Sequence, residues 1–182
     1  WSCRNIKTKE KEQVVKESSG LKRMTTRSGK IFIVHTDYSK GKSICGLKIE
    51  TRGFEIVNDT YDFGDTDPVE NVFLADLDGN GFEEIYITTR SAGSGSYSKL
   101  YGMASNKDKS ATSIYVKPVS QYKELFPGFM GHNEFKFDDG KLFHQYPVYK
   151  NDDKNSKPSG GIRKIEYRLI PGEDGWILEP VY

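Results

Sequence analysis

The sequence predicts an all-β protein, an antiparallel β-sandwich or flattened β-barrel with at most one short helix, and three observations carry that expectation. Aromatic residues make up 13% of the chain, with 11 Tyr and 10 Phe, and there are 18 Gly; strands pack aromatic side chains and tight turns consume glycine. Short apolar or alternating runs recur from Lys30 to the C-terminus. They are joined by stretches as short as "DDGK" and "PGEDGW", which is hairpin spacing rather than the spacing of crossover helices.

Taken in order, residues 1–29 form a charge-rich head with scattered apolar positions (Ile6, Val14, Val15, Leu21), read as a basic tether or a marginal helix. The domain proper is expected over 30–182. "KIFIVHTD" reads as a strand, "GLKIETRG" alternates apolar and polar residues, and "FEIV" follows a glycine. Further strands are expected at "VENVFLAD", "EEIYITTR", "KLYGMAS", "TSIYVKP", "NEFKFDD", "KLFHQYPVYK", "IRKIEYRLI" and "GWILEPVY", each a run of apolar and β-branched residues. "PVSQYKELFPG" reads as a helical turn and "KNDDKNSKPSGG" as an exposed loop. No internal repeat of fixed period appears.

At 182 residues the chain can bury one core. The net charge of +1 conceals a split: residues 1–30 hold nine Lys or Arg against three Glu, and the remainder holds 18 basic against 23 acidic residues. The basic head lacks the interleaved aromatics of a nucleic-acid surface, so a solvated tether is the simpler reading. No apolar run approaches the roughly 18 residues of a membrane span or the hydrophobic stretch of a signal peptide. Cys3 and Cys45 leave three readings open. They can pair, which in an oxidising compartment would contribute on the order of 4 kcal/mol; Cys3 in "WSC" can be an acylated lipoprotein cysteine; or both are unrelated thiols.

The first stretch with chemistry is "DLDGNGFEE". Asp76, Asp78, Asn80 and Glu84 fall at relative positions 1, 3, 5 and 9, with Gly81 at 6, as in the first part of a calcium-binding EF-hand loop. Position 12 is Ile87 instead of Glu, and the flanks are strand-like. The pattern therefore suits a strand-loop-strand calcium site; alternatively the two aspartates simply accept backbone hydrogen bonds in a tight turn.

The second is "RSAGSGSYSK", Arg90 to Lys99. It is longer than a hairpin turn needs and contains no carboxylate. It lacks the lysine-threonine ending of a phosphate loop and the G-x-S-x-G of a nucleophile elbow. His35, His132 and His144 lie in separate segments, and no carboxylate pair marks a cleft, so an enzyme is not expected. Tyr97 is either a contact residue at the tip or a cap that packs on a neighbouring loop.

Taken together, "ADLDGNGFEEIYITTRSAGSGSYSKLYGMASN", "HQYPVYKNDDKNSKPSGGIRKIEYRL" and the terminal "GWILEPV" resemble the bacterial periplasmic inhibitors of invertebrate-type lysozyme. The resemblance covers about Lys30 to Tyr182 and includes that family's S-G-x-Y motif as Ser94, Gly95, Ser96 and Tyr97. It implies an antiparallel β-sandwich in the periplasm or on the outer membrane as a lipoprotein, whose S-G-x-Y loop enters the lysozyme cleft. Under that implication Ser94 donates to a catalytic carboxylate, Tyr97 lies where a sugar ring would, and Arg90 and Lys99 make the loop base electropositive. The second expectation is a calcium-stabilised surface lipoprotein that binds glycan or a protein partner.

Overall fold

The computed structural model describes residues 20–181; readings that fall on residues 1–19, among them the basic tether, acylation of Cys3 and its pairing with Cys45, lie outside the described residues. The chain is all-β, built from two sheets. The smaller is a four-stranded meander of β1 (Gly20–Thr25), β2 (Ile31–Asp37), β3 (Cys45–Arg52) and β4 (Thr60–Thr66). The larger has eight strands in the order β5-β6-β7-β8-β12-β11-β10-β9. These are β5 (Val69–Ala75), β6 (Glu84–Arg90), β7 (Ser98–Ser105), β8 (Ala111–Val116), β9 (Glu134–Asp138), β10 (Lys141–Pro147), β11 (Ile162–Gly172) and β12 (Gly175–Pro180). Where "PVSQYKELFPG" predicts a helical turn, a 3-10 turn spans Val119–Tyr122. No helix among the described residues is long and apolar enough to cross a membrane.

The eight-stranded sheet curls until its two edges meet. Phe73 of edge strand β5 and Phe137 of edge strand β9 lie 4.3 Å apart between ring centroids, and both rings contact Tyr86 of β6. The interior of the curl is filled by Tyr86, Leu100, Ile114, Leu142, Tyr146 and Leu178 among others. The four-stranded sheet packs on the outside of the same curl through Phe32, Val34, Leu47 and Ile49, which meet Ile85, Ile87 and Met103. Both expected architectures are thus present, a sandwich of two sheets in which the larger is a half-barrel. Alternation explains it: in β6, Ile85 and Ile87 face the small sheet while Tyr86 faces the barrel interior.

Turn chemistry follows the sequence where glycine dictates it. Asp139 and Gly140 both take left-handed conformations (φ 49° and 72°) between β9 and β10, as a type I′ hairpin requires. Two strands were not expected. The first, β1, lies in the supposed tether and pairs residue for residue with β2; its exposed Lys22 and Arg23 suit an edge strand. The other, β4, is dominated by polar residues and Gly64; Tyr61 and Phe63 are its partly buried hydrophobic residues, and Thr66 at its end is buried. Conversely "FEIV" forms no strand: Phe54 is buried, and the amides of Glu55, Ile56 and Val57 donate to the carbonyls of Asp108 and Lys109. One pairing departs from antiparallel, β8 with β12, which run parallel.

Packing within the curl is tight at Gly102, paired with Tyr86. A Cβ there would stand 2.7 Å from the Ile85 carbonyl oxygen and 3.2 Å from the Tyr86 ring. Gly102→Ala is expected to destabilise the fold by about 1–3 kcal/mol, read as a lowered denaturation midpoint. Gly93→Ala, whose Cβ meets nothing within 4 Å, should stay within about 0.5 kcal/mol of the parent.

Candidate functional site

Strand β6 carries the chain out of the core at Arg90, seven residues form a loop, and β7 takes it back at Ser98. The neck of the loop is closed by two hydrogen bonds: the Ser91 amide donates to the Tyr97 carbonyl and the Tyr97 amide donates to Ser91 Oγ, each at 2.9 Å. Inside it, the Ser96 amide donates to the Gly93 carbonyl at 2.9 Å. Ser96 is left-handed (φ 42°), a conformation that a non-glycine residue adopts only when its surroundings enforce it. Arg90 supplies that enforcement, because its Nη1 donates to the Ser96 carbonyl at 3.1 Å and to Ser96 Oγ at 3.2 Å.

Two further loops brace the tip. In the first, Phe129 to Asn133, the His132 amide donates to the Gly95 carbonyl at 2.7 Å. The Tyr97 ring packs edge-on against Phe129 with centroids 5.9 Å apart. Gly95 and Gly131 flank that ring so closely that a Cβ on either would overlap it or the Gly95 carbonyl. In the second, the loop after β10, Asn155 Nδ2 donates to the Ser94 carbonyl at 3.1 Å. Ser94 remains exposed and Tyr97 keeps 43% of its surface in solvent. Among the described residues neither hydroxyl has a hydrogen-bond partner. Tyr97 therefore does both things the sequence allows, packing on a neighbouring loop and presenting an open face. Beside it lies an apolar cleft of about 370 Å³ lined by Tyr97, Leu100, Phe129, Phe135, His144 and Tyr167.

The expected electropositive base is not there. Arg90 makes a bidentate pair with Glu70, Nε to Oε1 at 2.7 Å and Nη2 to Oε2 at 3.1 Å, and its Nη1 also donates to the Asn133 carbonyl. Lys99 pairs with Asp67 at 3.0 Å. Both cations thus have a carboxylate partner, and Arg90 also acts as a scaffold for the loop.

Sequence reasoning missed the bracing residues. Asn133 is buried, accepts from the Ser98 amide through Oδ1 and donates through Nδ2 to the Ser98 carbonyl and to His144 Nε2 at 2.7 Å. The only signal available in the sequence is the glycine-aromatic cluster "FPGFMGHN", whose Gly128, Gly131 and His132 all take positive φ.

Since Asn133 donates to Nε2, the His144 proton sits on Nδ1, which has no partner. Enclosure pushes this imidazole down to about 3. His35 pairs with exposed-side Glu50 at 3.1 Å and His132 lies beside Tyr149. Among the described residues no serine hydroxyl reaches a histidine nitrogen.

At the other end of β6, Asp76, Asp78 and Glu84 converge, with carboxylate oxygens within 4.8 Å of one another. Asp76 Oδ2 accepts from the Gly81 amide at 2.9 Å, and Asp78 accepts from the Asn80 amide and from Asn80 Nδ2. Glu84 Oε2 accepts from the Leu77 amide at 2.9 Å and the Tyr86 hydroxyl at 3.1 Å. Burial first, then the two aspartates, push Glu84 up to about 8. Asn80, expected as a fourth ligand, instead turns its side-chain oxygen to the Phe82 amide at 2.7 Å. Ile87, at the position of an EF-hand glutamate, is buried in the core.

No family model, curated protein or solved structure matches this chain, so the functional reading stands on the geometry above.

The His144 environment fixes the sign of one pH response. An unfolded histidine takes up its proton near 6.5, whereas the folded one resists until about 3. Between those values the unfolded chain holds more protons, so stability falls as pH is lowered, by at most about 1.4 kcal/mol per unit. Glu84 gives the opposite slope between its ordinary range and about 8. Thermal midpoints of the parent and of His144→Gln, which keeps an acceptor for Asn133, should therefore converge as pH drops from 6.5 to 4. Parallel curves would refute a neutral buried imidazole.

Proposed function

We propose that this protein is a lysozyme inhibitor that inserts the Ser94–Tyr97 loop into the enzyme's active-site cleft, with an invertebrate-type lysozyme as the favoured target. A lysozyme cleft is shaped for sugar rings and carries carboxylates at its centre. An inserted segment must offer donors and an apolar ring without bringing negative charge of its own. The observation that carries the reading is the pairing of two free hydroxyls, Ser94 and Tyr97, on an exposed loop that contains no carboxylate and is held by three separate braces. Ser94 Oγ is suited to donate to a catalytic carboxylate, and the open face of Tyr97 to occupy a sugar subsite. Bracing lowers the conformational entropy lost on binding, by about 0.5–1.5 kcal/mol for each side chain already held. The reading places the protein in the bacterial periplasm or on the outer membrane, with Cys3 as the candidate lipid anchor.

The test is a cell-wall lysis assay with an invertebrate-type lysozyme. Tyr97→Ala should weaken inhibition by about 2 kcal/mol, roughly thirtyfold in the inhibition constant. Ser94→Ala, which removes a hydrogen bond to a charged group, should weaken it by about tenfold. A parent protein that leaves lysis unchanged would reject the target, and two variants as potent as the parent would reject the loop.

A further inference from the structure

We propose that Asp76, Asp78 and Glu84 form a binding site for one calcium ion, independent of the lysozyme reading. Acidic turns are common on protein surfaces, and what sets this one apart is the state of its innermost member. The Glu84 residue is 0% exposed, yet Oε1 has no hydrogen-bond partner. Asp76 Oδ1 is likewise enclosed and unpartnered. No ion pair among the described residues neutralises any of the three. A fully enclosed carboxylate oxygen without a donor is strongly disfavoured unless a proton or a cation compensates it, and a cation compensates both unpartnered oxygens and the Asp78 carboxylate together.

The geometry matches such a cation. Asp76 and Glu84 each have one oxygen anchored by the protein, Asp76 Oδ2 by Gly81 and Glu84 Oε2 by Leu77 and Tyr86, leaving the other oxygen over. Carboxylates with one oxygen anchored and the other spare are the arrangement of oriented metal ligands. The three groups approach within 4.8 Å, and two oxygens on one calcium at about 2.4 Å can stand no farther apart than about that distance. All three side-chain donors are carboxylate oxygens, which selects a hard cation over zinc or copper. Magnesium holds most of its water and takes one or two carboxylates in strict octahedral order, whereas calcium accepts several carboxylates in irregular geometry. Gly79 and Gly81, with φ of 72° and 89°, let the turn fold Asp76 and Asp78 toward the start of β6.

The experiment uses the full chain treated with a chelator and dialysed, then titrated with calcium chloride or magnesium chloride at constant ionic strength. Calorimetry should give one calcium per chain. The thermal midpoint should rise with calcium, by about 5–10 °C when free calcium exceeds the dissociation constant about a hundredfold. Magnesium should give a clearly smaller shift. Asp78→Asn, in a partly exposed position, should keep the fold and weaken calcium binding by about tenfold or more; Glu84→Gln should abolish the calcium-dependent rise. No binding heat and no shift at about 10 mM calcium, an equal response to magnesium, or unaltered calcium binding by Asp78→Asn would each overturn the site.

Discussion

The fold depends on one strand that has no solvent face. From Glu84 to Thr89 every residue of β6 is buried, because the small sheet covers one side and the curl of the large sheet covers the other. A strand with one polar face is held in register by polarity, since a slip of one residue would turn that face inward. Strand β6 has no such guide. Its register is set by size instead: Tyr86 faces Gly102 on β7, where any side chain would crowd the Tyr86 ring, Ile114 and the Ile85 carbonyl. The same ring meets Phe73 and Phe137 and so joins the two edges of the curled sheet. One aromatic residue thereby fixes both strand register and sheet closure.

The charged residues of this doubly buried strand stand at its two ends, and the ends are satisfied in different ways. At the outer end Arg90 is fully supplied with acceptors, five for its five N–H donors: both Glu70 oxygens, two oxygens of Ser96 and the Asn133 carbonyl. At the inner end Glu84 is under-supplied with donors and shares its space with two more carboxylates. Residues 84, 86, 88 and 90 lie on one face of the strand, so the two ends are linked by a rigid spacer about 20 Å long. The acidic end gathers the unpartnered carboxylate oxygens, and the arginine end holds the shape of the exposed loop. The fully paired Arg90 also explains why the loop base is electrically neutral despite two cations in its sequence.

Much of this architecture is legible in the sequence because strands report on themselves locally. Alternation and β-branched runs mark β2, β3 and β5 to β12, and the Asp-Gly pair at 139–140 specifies its own turn. What the sequence does not display is partnership at a distance. Strand β1 carries one half-buried apolar residue, Met24, and becomes a strand only through β2. The parallel seam of β8 with β12 joins segments separated by some sixty residues. The site divides along the same line. Ser94, Gly95 and Tyr97 announce an exposed loop by composition, and the acidic turn announces itself by spacing. Asn133 and Asn155, 35 and 61 residues from the groups they hold, carry no local mark of their role.

The bracing of the loop is a consequence of the curl rather than an addition to it. Contact between Phe73 and Phe137 brings β9 alongside β5 and β6, and the segment that enters β9, Phe129 to Asn133, is thereby laid against the loop between β6 and β7. A flat eight-stranded sheet would put seven strand spacings, about 33 Å, between those same edges. In the curled sheet, the buried Asn133 clamps Ser98 and His144 while the neighbouring His132 amide holds Gly95. The left-handed Ser96, a local cost of about 1–3 kcal/mol, is tolerated because Arg90 and this second loop over-determine it. The shape of the exposed tip is thus set by aromatic packing on the opposite edge of the barrel, and loosening that packing would relax the tip without touching any residue in it.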